Sequence, residues 1–194
     1  MIGAEFETVL ASARTGDEIA FARLWRDVNP ALLRYLSLGG EAAEEVAAET
    51  WLTVVKGLKG FKGDETAWRA WVFTTARRRA VDAGRRRTRE ARTSLLERAG
   101  SWVSSVEPDC ADVVIDSLSS VEAIRLVRQL PPLQAEVVLL RVVVGLPVSE
   151  VADLVGRSPG AIRVAAHRGL RALATIMSES GVTLSDPGAL REVT

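Results

Sequence analysis

The sequence predicts an all-α protein with two small helical domains joined by a flexible acidic linker. Apolar residues recur at three- and four-residue spacing through most of the 194 residues, and strand-like alternation is not evident. A chain of this length suits two small domains, and serine and acidic residues replace the helical pattern after residue 90. We therefore place an N-terminal domain at residues 1–89, a linker at 90–120, a C-terminal domain at 121–177 and a loosely ordered tail at 178–194.

Four helices are predicted in the N-terminal domain. The first runs from Asp17 to Asp27. Pro30 opens the second, because proline suits the first turn of a helix, and Gly39-Gly40 ends it. The third, at residues 41–58, begins with acidic residues that suit the positive end of the helix dipole. The fourth, at residues 65–88, begins with tryptophans and ends in arginines.

The C-terminal domain is predicted to begin with two helices before its most specific motif. The first runs from Val121 to about Leu130, and Pro131-Pro132 interrupts it. The second continues from Leu133 to Val144. Apolar residues at helical spacing in both segments predict faces that pack in the core of this domain.

The segment from Val148 to Leu173 has the spacing of a helix-turn-helix, a DNA-binding motif. Ala152 allows two short helices to approach closely, Gly156 can adopt the positive φ of the turn, and Ile162 fills the pocket between them. Ser158-Pro159 suits the start of the second helix. An ordinary helical hairpin with a solvated arginine face is the alternative. The expected DNA contacts are Arg157, Ser158, Arg163, His167, Arg168 and Arg171.

Charged residues are segregated along the sequence, although the formal net charge is zero. Residues 1–50 carry four arginines against nine acids, whereas residues 51–100 carry thirteen lysines and arginines against five acids. Residues 101–150 return to an excess of acids, with three arginines against seven. A chain with this distribution can present one surface to a polyanion and another surface to a different partner.

Eight arginines and two acidic residues lie between Arg77 and Arg92. On a helix, Arg78, Arg85 and Arg89 fall close to one face. Guanidinium groups bind phosphates bidentately, so such a face suits contact with a DNA backbone. A solvated face is the alternative, and the separate helix-turn-helix in the same chain favours DNA binding.

Aromatic residues precede the arginines, at Trp51, Phe61, Trp68, Trp71 and Phe73. They either stack on unpaired bases or pack in the core. Helical spacing favours packing for Trp71. Phe61 lies in a glycine-rich loop and is therefore the better candidate for a base contact.

Several classes of function are excluded by what the sequence lacks. Its apolar runs are far shorter than the roughly 20 residues that span a bilayer, so no membrane insertion is expected. The first residues do not resemble a leader, which favours a cytoplasmic location. One cysteine, Cys110, and one histidine cannot assemble the usual metal site. Without a phosphate loop or a nucleophile and base, we expect neither an enzyme nor a cofactor or small-molecule substrate.

Three segments together resemble the extracytoplasmic-function group of bacterial sigma factors, within the sigma-70 family. Residues 43–52 are similar to that group's polymerase-binding helix, residues 68–82 to its −10 promoter segment, and residues 130–146 to the start of its −35 domain. The resemblance covers about residues 17–177. It implies a transcription initiation factor that binds core RNA polymerase and promoter DNA and is held by an anti-sigma factor.

The resemblance also implies which residues make these contacts. The polymerase-binding residues would be Glu45, Ala48, Glu49 and Leu52. The loop at residues 60–65 would accept a base flipped from the non-template strand. The −10 contacts would be Phe61, Lys62, Asp64, Trp68, Arg77, Arg78, Arg85 and Arg86. The acidic linker would pass through the nucleic-acid channel of polymerase with Glu107, Asp109, Asp112 and Asp116.

The sequence departs from the group's pattern at three positions. Arg78 replaces a frequent asparagine, Ala48 replaces a glutamine, and Ala165 stands where arginine or lysine is expected on the recognition helix. The turn at residues 37–41 is also shorter than usual. Promoter preference is therefore not inherited from relatives.

Two other functions stay open at the level of the sequence. The first is a stand-alone helix-turn-helix regulator, whose N-terminal helices serve for dimerisation or signal sensing. The second is a helical interaction protein whose charges only solvate it.

Overall fold

A computed structural model describes residues 1–40, 42–97 and 117–179, and within these ranges the chain forms helices and turns without a β-strand. The all-α prediction is confirmed. The acidic linker residues from Glu107 to Asp116 and the tail from residue 180 lie outside the described residues. The α-helices are α1 Phe6–Arg14, α2 Glu18–Ser37, α3 Ala43–Gly57, α4 Glu65–Glu97, α5 Ser117–Val127, α6 Pro132–Val138, α7 Val148–Val155 and α8 Pro159–Glu179.

The N-terminal domain begins with a helix that the sequence analysis did not predict. In α1, Phe6, Val9 and Leu10 are buried at helical spacing, together with Ala13 one turn further on. They pack against α2. Burial of this apolar stripe stabilises a helix of only nine residues, which would be marginal on its own.

The prediction that Pro30 opens a new helix is wrong, because α2 continues through it from Glu18 to Ser37. A proline inside a helix removes one backbone hydrogen bond and crowds the preceding turn. Here Leu24, Val28 and Leu32 are fully buried on both sides of the proline. Their packing outweighs the local cost, and the helix ends at the predicted glycine pair, where Gly40 has a φ of 109°.

The central helices of the N-terminal domain are α3 and α4, which pack against each other and against α2. Val54 of α3 and Val72 and Phe73 of α4 are fully buried between them. The helix α4 extends to Glu97, beyond the predicted end at Thr88, and α5 begins at Ser117 rather than Val121. Both helices therefore enter the segment predicted to be a linker.

The C-terminal domain is built from α5 to α8. Pro132 occupies the first turn of α6, and the predicted helix at residues 133–144 consists of α6 followed by a π-helical turn at Leu139–Val143. Gly145, with a φ of 77°, then redirects the chain toward α7. Leu146 is fully buried beside this turn and fixes the exit from it.

The two domains are in direct contact through a polar junction centred on Glu136 of α6. Its carboxylate accepts a hydrogen bond of 2.8 Å from the Tyr35 hydroxyl and one of 2.9 Å from Nε of Arg77. Arg69, which is buried in the N-terminal domain, also donates across the junction to the carbonyl of Val144 at 3.3 Å. The apolar cores of the two domains are continuous beneath these contacts.

The electrostatics of the junction keep both donors protonated. Burial and the adjacent carboxylate of Glu136 raise the pKa of Tyr35. Burial disfavours the charge of Arg77, but its hydrogen bond and attraction to Glu136 outweigh that effect and raise the pKa of the guanidinium. Glu136 therefore accepts two hydrogen bonds from side chains of the other domain at physiological pH.

We predict that Glu136→Gln weakens the contact between the domains. The amide keeps the shape of the side chain but loses the charge that attracts Arg77, at a cost of about 1–3 kcal/mol. Small-angle X-ray scattering should then give a larger radius of gyration than for the original protein. Glu122→Gln, on the exposed side of α5, is the matched control and should leave the radius unchanged. An unchanged radius for both variants would contradict the prediction.

Candidate nucleic-acid interface

The predicted helix-turn-helix is formed by α7 and α8. Gly156 adopts the left-handed conformation, with φ 72° and ψ 43°, directly after α7. Ala152 and Ile162 are buried between the two helices. The Ser158 hydroxyl accepts a hydrogen bond of 3.2 Å from the backbone N–H of Ala161, which caps the start of α8 as predicted. The geometry of the motif is confirmed.

The outward face of α8 is cationic, and the expected contact residues lie on it or beside it. The exposed side chains of its first four turns include Arg163, His167, Arg168 and Arg171, and Arg157 and Ser158 are exposed in the preceding turn. Because these residues recur at three- and four-residue spacing, they form one surface.

The expectation that position 165 belongs to the recognition surface is wrong. Ala165 is 4% exposed and packs in the core with Ile162. A long basic side chain at this position would be buried, so alanine is the residue that the packing requires. Val164, which the sequence did not single out, is 50% exposed on the outward face next to Arg163.

A close approach between α6 and α8 sets the orientation of the recognition helix. Gly169 lies where the two helices meet, and a Cβ atom at this position would be 2.7 Å from Cγ2 of Val138. Such a distance is well below van der Waals contact, so a side chain here would force Val138 or the helices themselves to shift. The helix α8 is thereby held at a fixed distance from α6.

The arginine cluster on α4 divides into exposed and engaged members. Arg78, Arg85 and Arg87 are exposed, which suits a surface for a phosphate backbone. Arg77, predicted to contact the −10 element, instead pairs with Glu136 of the other domain. Arg86, also predicted to contact DNA, forms an ion pair of 3.0 Å with Glu49. In this arrangement both guanidinium groups are engaged by carboxylates, and the DNA contacts of Arg77 and Arg86 stay predictions.

Trp68 is not available for contact with DNA, contrary to the expectation from sequence. Its side chain is fully buried, and the rings of Phe61 and Trp71 pack edge-on against it at 5.5 and 5.6 Å. Phe61 stacks on Trp71 with their ring centres 5.0 Å apart. Packing is thus the role of Trp71, as predicted.

The loop before α4 exposes two of the predicted −10 residues and partly buries a third. Lys62 and Asp64 are exposed, whereas Phe61 is half-buried against the tryptophans. The Asp64 carboxylate accepts a hydrogen bond of 2.8 Å from the N–H of Ala67. Asp64 therefore caps α4, and the loop is held against the helix that carries the arginines.

The outward face of α3 carries three of the four residues expected to bind polymerase. Glu45, Ala48 and Leu52 are exposed at three- and four-residue spacing, and Leu52 is 62% exposed. Val55, three residues further along α3, is 50% exposed, and the two apolar side chains together mark a potential protein contact. Glu49 lies at the edge of this face, where its carboxylate is engaged by Arg86.

Two residues that organise the site were missed by the sequence analysis. Arg69 is buried and forms ion pairs with Asp27 and, at 3.7 Å, with Glu65. Glu136 joins the domains. The sequence gives no signal for the longer-range contacts of either residue, because those partners of Arg69 lie 42 and 75 residues away and those of Glu136 lie 59 and 101 residues away.

The described part of the chain shows no features of two other classes of site. No group of histidine, cysteine and acidic side chains suited to a metal ion occurs among these residues. None of their helices is long and apolar enough to cross a bilayer. The prominent surface features are thus the cationic faces of α4 and α8 and the exposed side of α3.

The fold and these surfaces define a two-domain helical protein with a helix-turn-helix, and comparison with known proteins places it more narrowly. Residues 21–90 match the family model described as Sigma-70 region 2, and residues 120–173 match the one described as Sigma-70, region 4. The first range covers α3 and most of α2 and α4, and the second covers the helix-turn-helix.

Curated relatives extend the match beyond the family models. The ECF RNA polymerase sigma factor SigD of Mycobacterium tuberculosis is 32% identical over 89% of this chain and 84% of its own length. BldN of Streptomyces coelicolor, also an ECF RNA polymerase sigma factor, is 32% identical over 86% of this chain, which spans 64% of the length of BldN. The chain therefore belongs to the sigma-70 family of transcription initiation factors, in its extracytoplasmic-function group.

Solved structures share the fold. The sigma factor RpoE of Bartonella quintana, crystallised in complex with the anti-sigma factor NepR, has a TM-score of 0.60 and 21% sequence identity. The similarity covers 81% of this chain and 96% of that chain. It shows that the arrangement of helices seen here also occurs in another sigma factor.

We predict that Gly156→Ala destabilises the protein by about 1–2 kcal/mol, the cost of a left-handed conformation for a residue with a Cβ atom. A Cβ atom at Gly156 would meet nothing within 4 Å, so the loss measures backbone strain alone. Urea denaturation followed by circular dichroism gives the free energy of unfolding. Gly160→Ala is the matched control in open space at the start of α8 and should be neutral or stabilising. Equal stabilities would show that the turn does not require glycine.

Proposed function

We propose that this sigma factor binds core RNA polymerase through α3 and contacts the two promoter elements through α4 and α8. One observation carries the proposal: a single chain presents cationic helix faces on two domains and an exposed apolar residue on a third surface. The charge segregation in the sequence supports a division between DNA and protein partners.

The proposed −35 surface is the outward face of α8. Arg163, His167 and Arg171 follow the groove-facing side of the helix, and Arg157 and Arg168 are positioned for phosphates. Recognition helices contact base edges in the major groove mainly with their N-terminal residues. Ser158 lies at this end and contributes by ordering the first turn as well as by its proximity to the backbone of DNA.

The proposed −10 surface combines the exposed arginines of α4 with the loop before that helix. Arg78 and Arg85 provide charge for the phosphate backbone, and Lys62 adds a cation from the loop. Phe61 has one side against Trp71 and would receive an unpaired base on its remaining exposed surface. Trp68 contributes by supporting these rings from the core.

The proposed polymerase surface is the exposed side of α3, with Leu52 at its centre. Ala48 lies one turn before it and Glu45 lies two turns before it. The small side chain of Ala48 leaves the helix backbone accessible, and Glu45 offers charge to a basic partner. Glu49 is available to polymerase only if its ion pair with Arg86 is exchanged for a new one.

In the structure the two domains are in contact at Glu136, and we call this the closed arrangement. Promoter binding requires the two domains to separate. Promoter elements at −10 and −35 are centred about 25 base pairs apart, which is about 85 Å of duplex at 3.4 Å per base pair. In the closed arrangement, Arg78 and Arg85 line a cleft against Asp153 and Leu154 of the helix-turn-helix domain. The two DNA surfaces therefore lie too close together to occupy both elements until the junction at Glu136 opens.

We also propose a location and a regulatory partner for this protein. The protein directs polymerase and has no catalytic step of its own, needs no cofactor, and acts in the cytoplasm, where DNA and polymerase are. RpoE of Bartonella quintana was crystallised with an anti-sigma factor. We extend this kind of partner to the present chain, with the anti-sigma factor holding it away from polymerase until a signal releases it.

The double variant Arg163→Ala, Arg171→Ala should lower run-off transcription by about tenfold or more, because each lost base or phosphate contact costs about 1–3 kcal/mol. The assay uses core polymerase and a promoter selected with the original protein from randomised templates. Arg26→Ala removes an exposed arginine of α2 and is the control. Transcription unaffected by the double variant would refute the −35 role.

A gel-shift assay without polymerase separates this function from that of a stand-alone regulator. A regulator binds its site tightly and specifically alone, whereas a sigma factor depends on core polymerase for stable binding. Tight specific binding by the free protein, together with failure to bind core polymerase at low salt, would favour the regulator and overturn the proposal.

Leu52→Asp should reduce affinity for core polymerase by about tenfold or more, because a charge would be buried without a partner at the centre of the interface. Binding is measured by competition with a labelled sigma factor for core polymerase. Ile19→Asp introduces the same charge at a residue of α2 that is 76% exposed and should bind normally. Equal affinities for both variants would place the polymerase surface elsewhere.

A further inference from the structure

One apolar residue lies on the otherwise polar DNA-facing side of α8. Val164 is 50% exposed, and it is the only large apolar side chain of α8 within the described residues with that degree of exposure. It is the sixth residue of the helix and therefore lies in the part that enters a major groove in helix-turn-helix proteins. The DNA surface proposed above supplies the context for the inference.

The position of Val164 is unfavourable for the free protein. A β-branched residue lowers helix propensity relative to alanine. An exposed valine has no burial free energy to offset this loss. Its neighbours on the same face are His167 and Arg168, and Arg163 directly precedes it in the sequence; all three are exposed. A cationic surround suits the groove of a polyanion, in which an apolar group can still find an apolar contact.

The start of α8 is shaped for a close approach of DNA. Gly160 precedes Val164 by four residues and so lies on the same face one turn earlier. Nothing lies within 4 Å of the place where its Cβ atom would be. The absence of a side chain there lets the backbone of the first turn approach base edges and brings Val164 within reach of the groove floor.

We infer that Val164 determines specificity at one position of the −35 element by packing against the C5-methyl group of a thymine. In the major groove, this methyl group is the one apolar feature that distinguishes an A·T pair from the others. The arginines anchor the helix on phosphates and hydrogen-bond to bases, whereas Val164 excludes water from the methyl group. The inference rests on the proposed −35 role of α8.

The test replaces single thymines by deoxyuridine in a −35 element selected with the holoenzyme, which removes only the methyl group. For the original protein, one thymine position or two adjacent ones should lose about fourfold in promoter affinity, the equivalent of about 0.8 kcal/mol for one buried methyl group. The readout is the ratio between thymine and uracil templates in competitive run-off transcription.

Val164→Ala should abolish this ratio while transcription from other contacts persists, and alanine favours the helix, so folding is maintained. Val142→Ala, which truncates a valine of similar exposure outside α8, should keep the ratio. A ratio unchanged in Val164→Ala, or no thymine sensitive to uracil, would overturn the inference while leaving the sigma factor function intact. No transcript from any template would instead overturn the proposed function, and this inference with it.

Discussion

The arrangement of the molecule depends on one carboxylate. Glu136 of α6 accepts side-chain hydrogen bonds from Tyr35 of α2 and from Arg77 of α4. Both donors belong to the N-terminal domain. Each donor is partly or fully removed from water, so neither loses its partner without cost. The continuous core beneath the junction buries apolar side chains of both domains. The hydrogen bonds of Glu136 fix the position of one domain relative to the other.

Features governed by local chemistry were predictable from the sequence. Gly156 has to adopt a positive φ, Ser158 has to cap α8, and Ala152 and Ile162 have to face each other. The motif can therefore be identified from these few residues. The glycine pair that ends α2 is predictable for the same reason. Among the surfaces, the spacing of the α8 arginines correctly indicated one exposed face.

Features governed by tertiary packing were not predictable. Pro30 has the sequence signature of a helix start, and only the buried residues around it keep α2 continuous. Trp68 and Ala165 look like site residues by family position, but both are buried in the core. Arg77 belongs to the charge cluster in sequence, yet its partner lies 59 residues away. Such pairings depend on how the domains meet, which a linear pattern does not encode.

The contact at Gly169 has a mechanical consequence for any rearrangement of the molecule. The helix α6 carries both Glu136, which holds the domain junction, and Val138, against which Gly169 of α8 is packed without room for a methyl group. Sliding of α8 along α6 is blocked on this side. The junction residue and the recognition helix therefore belong to one packed unit, in which a displacement of α6 at the junction is passed directly to α8.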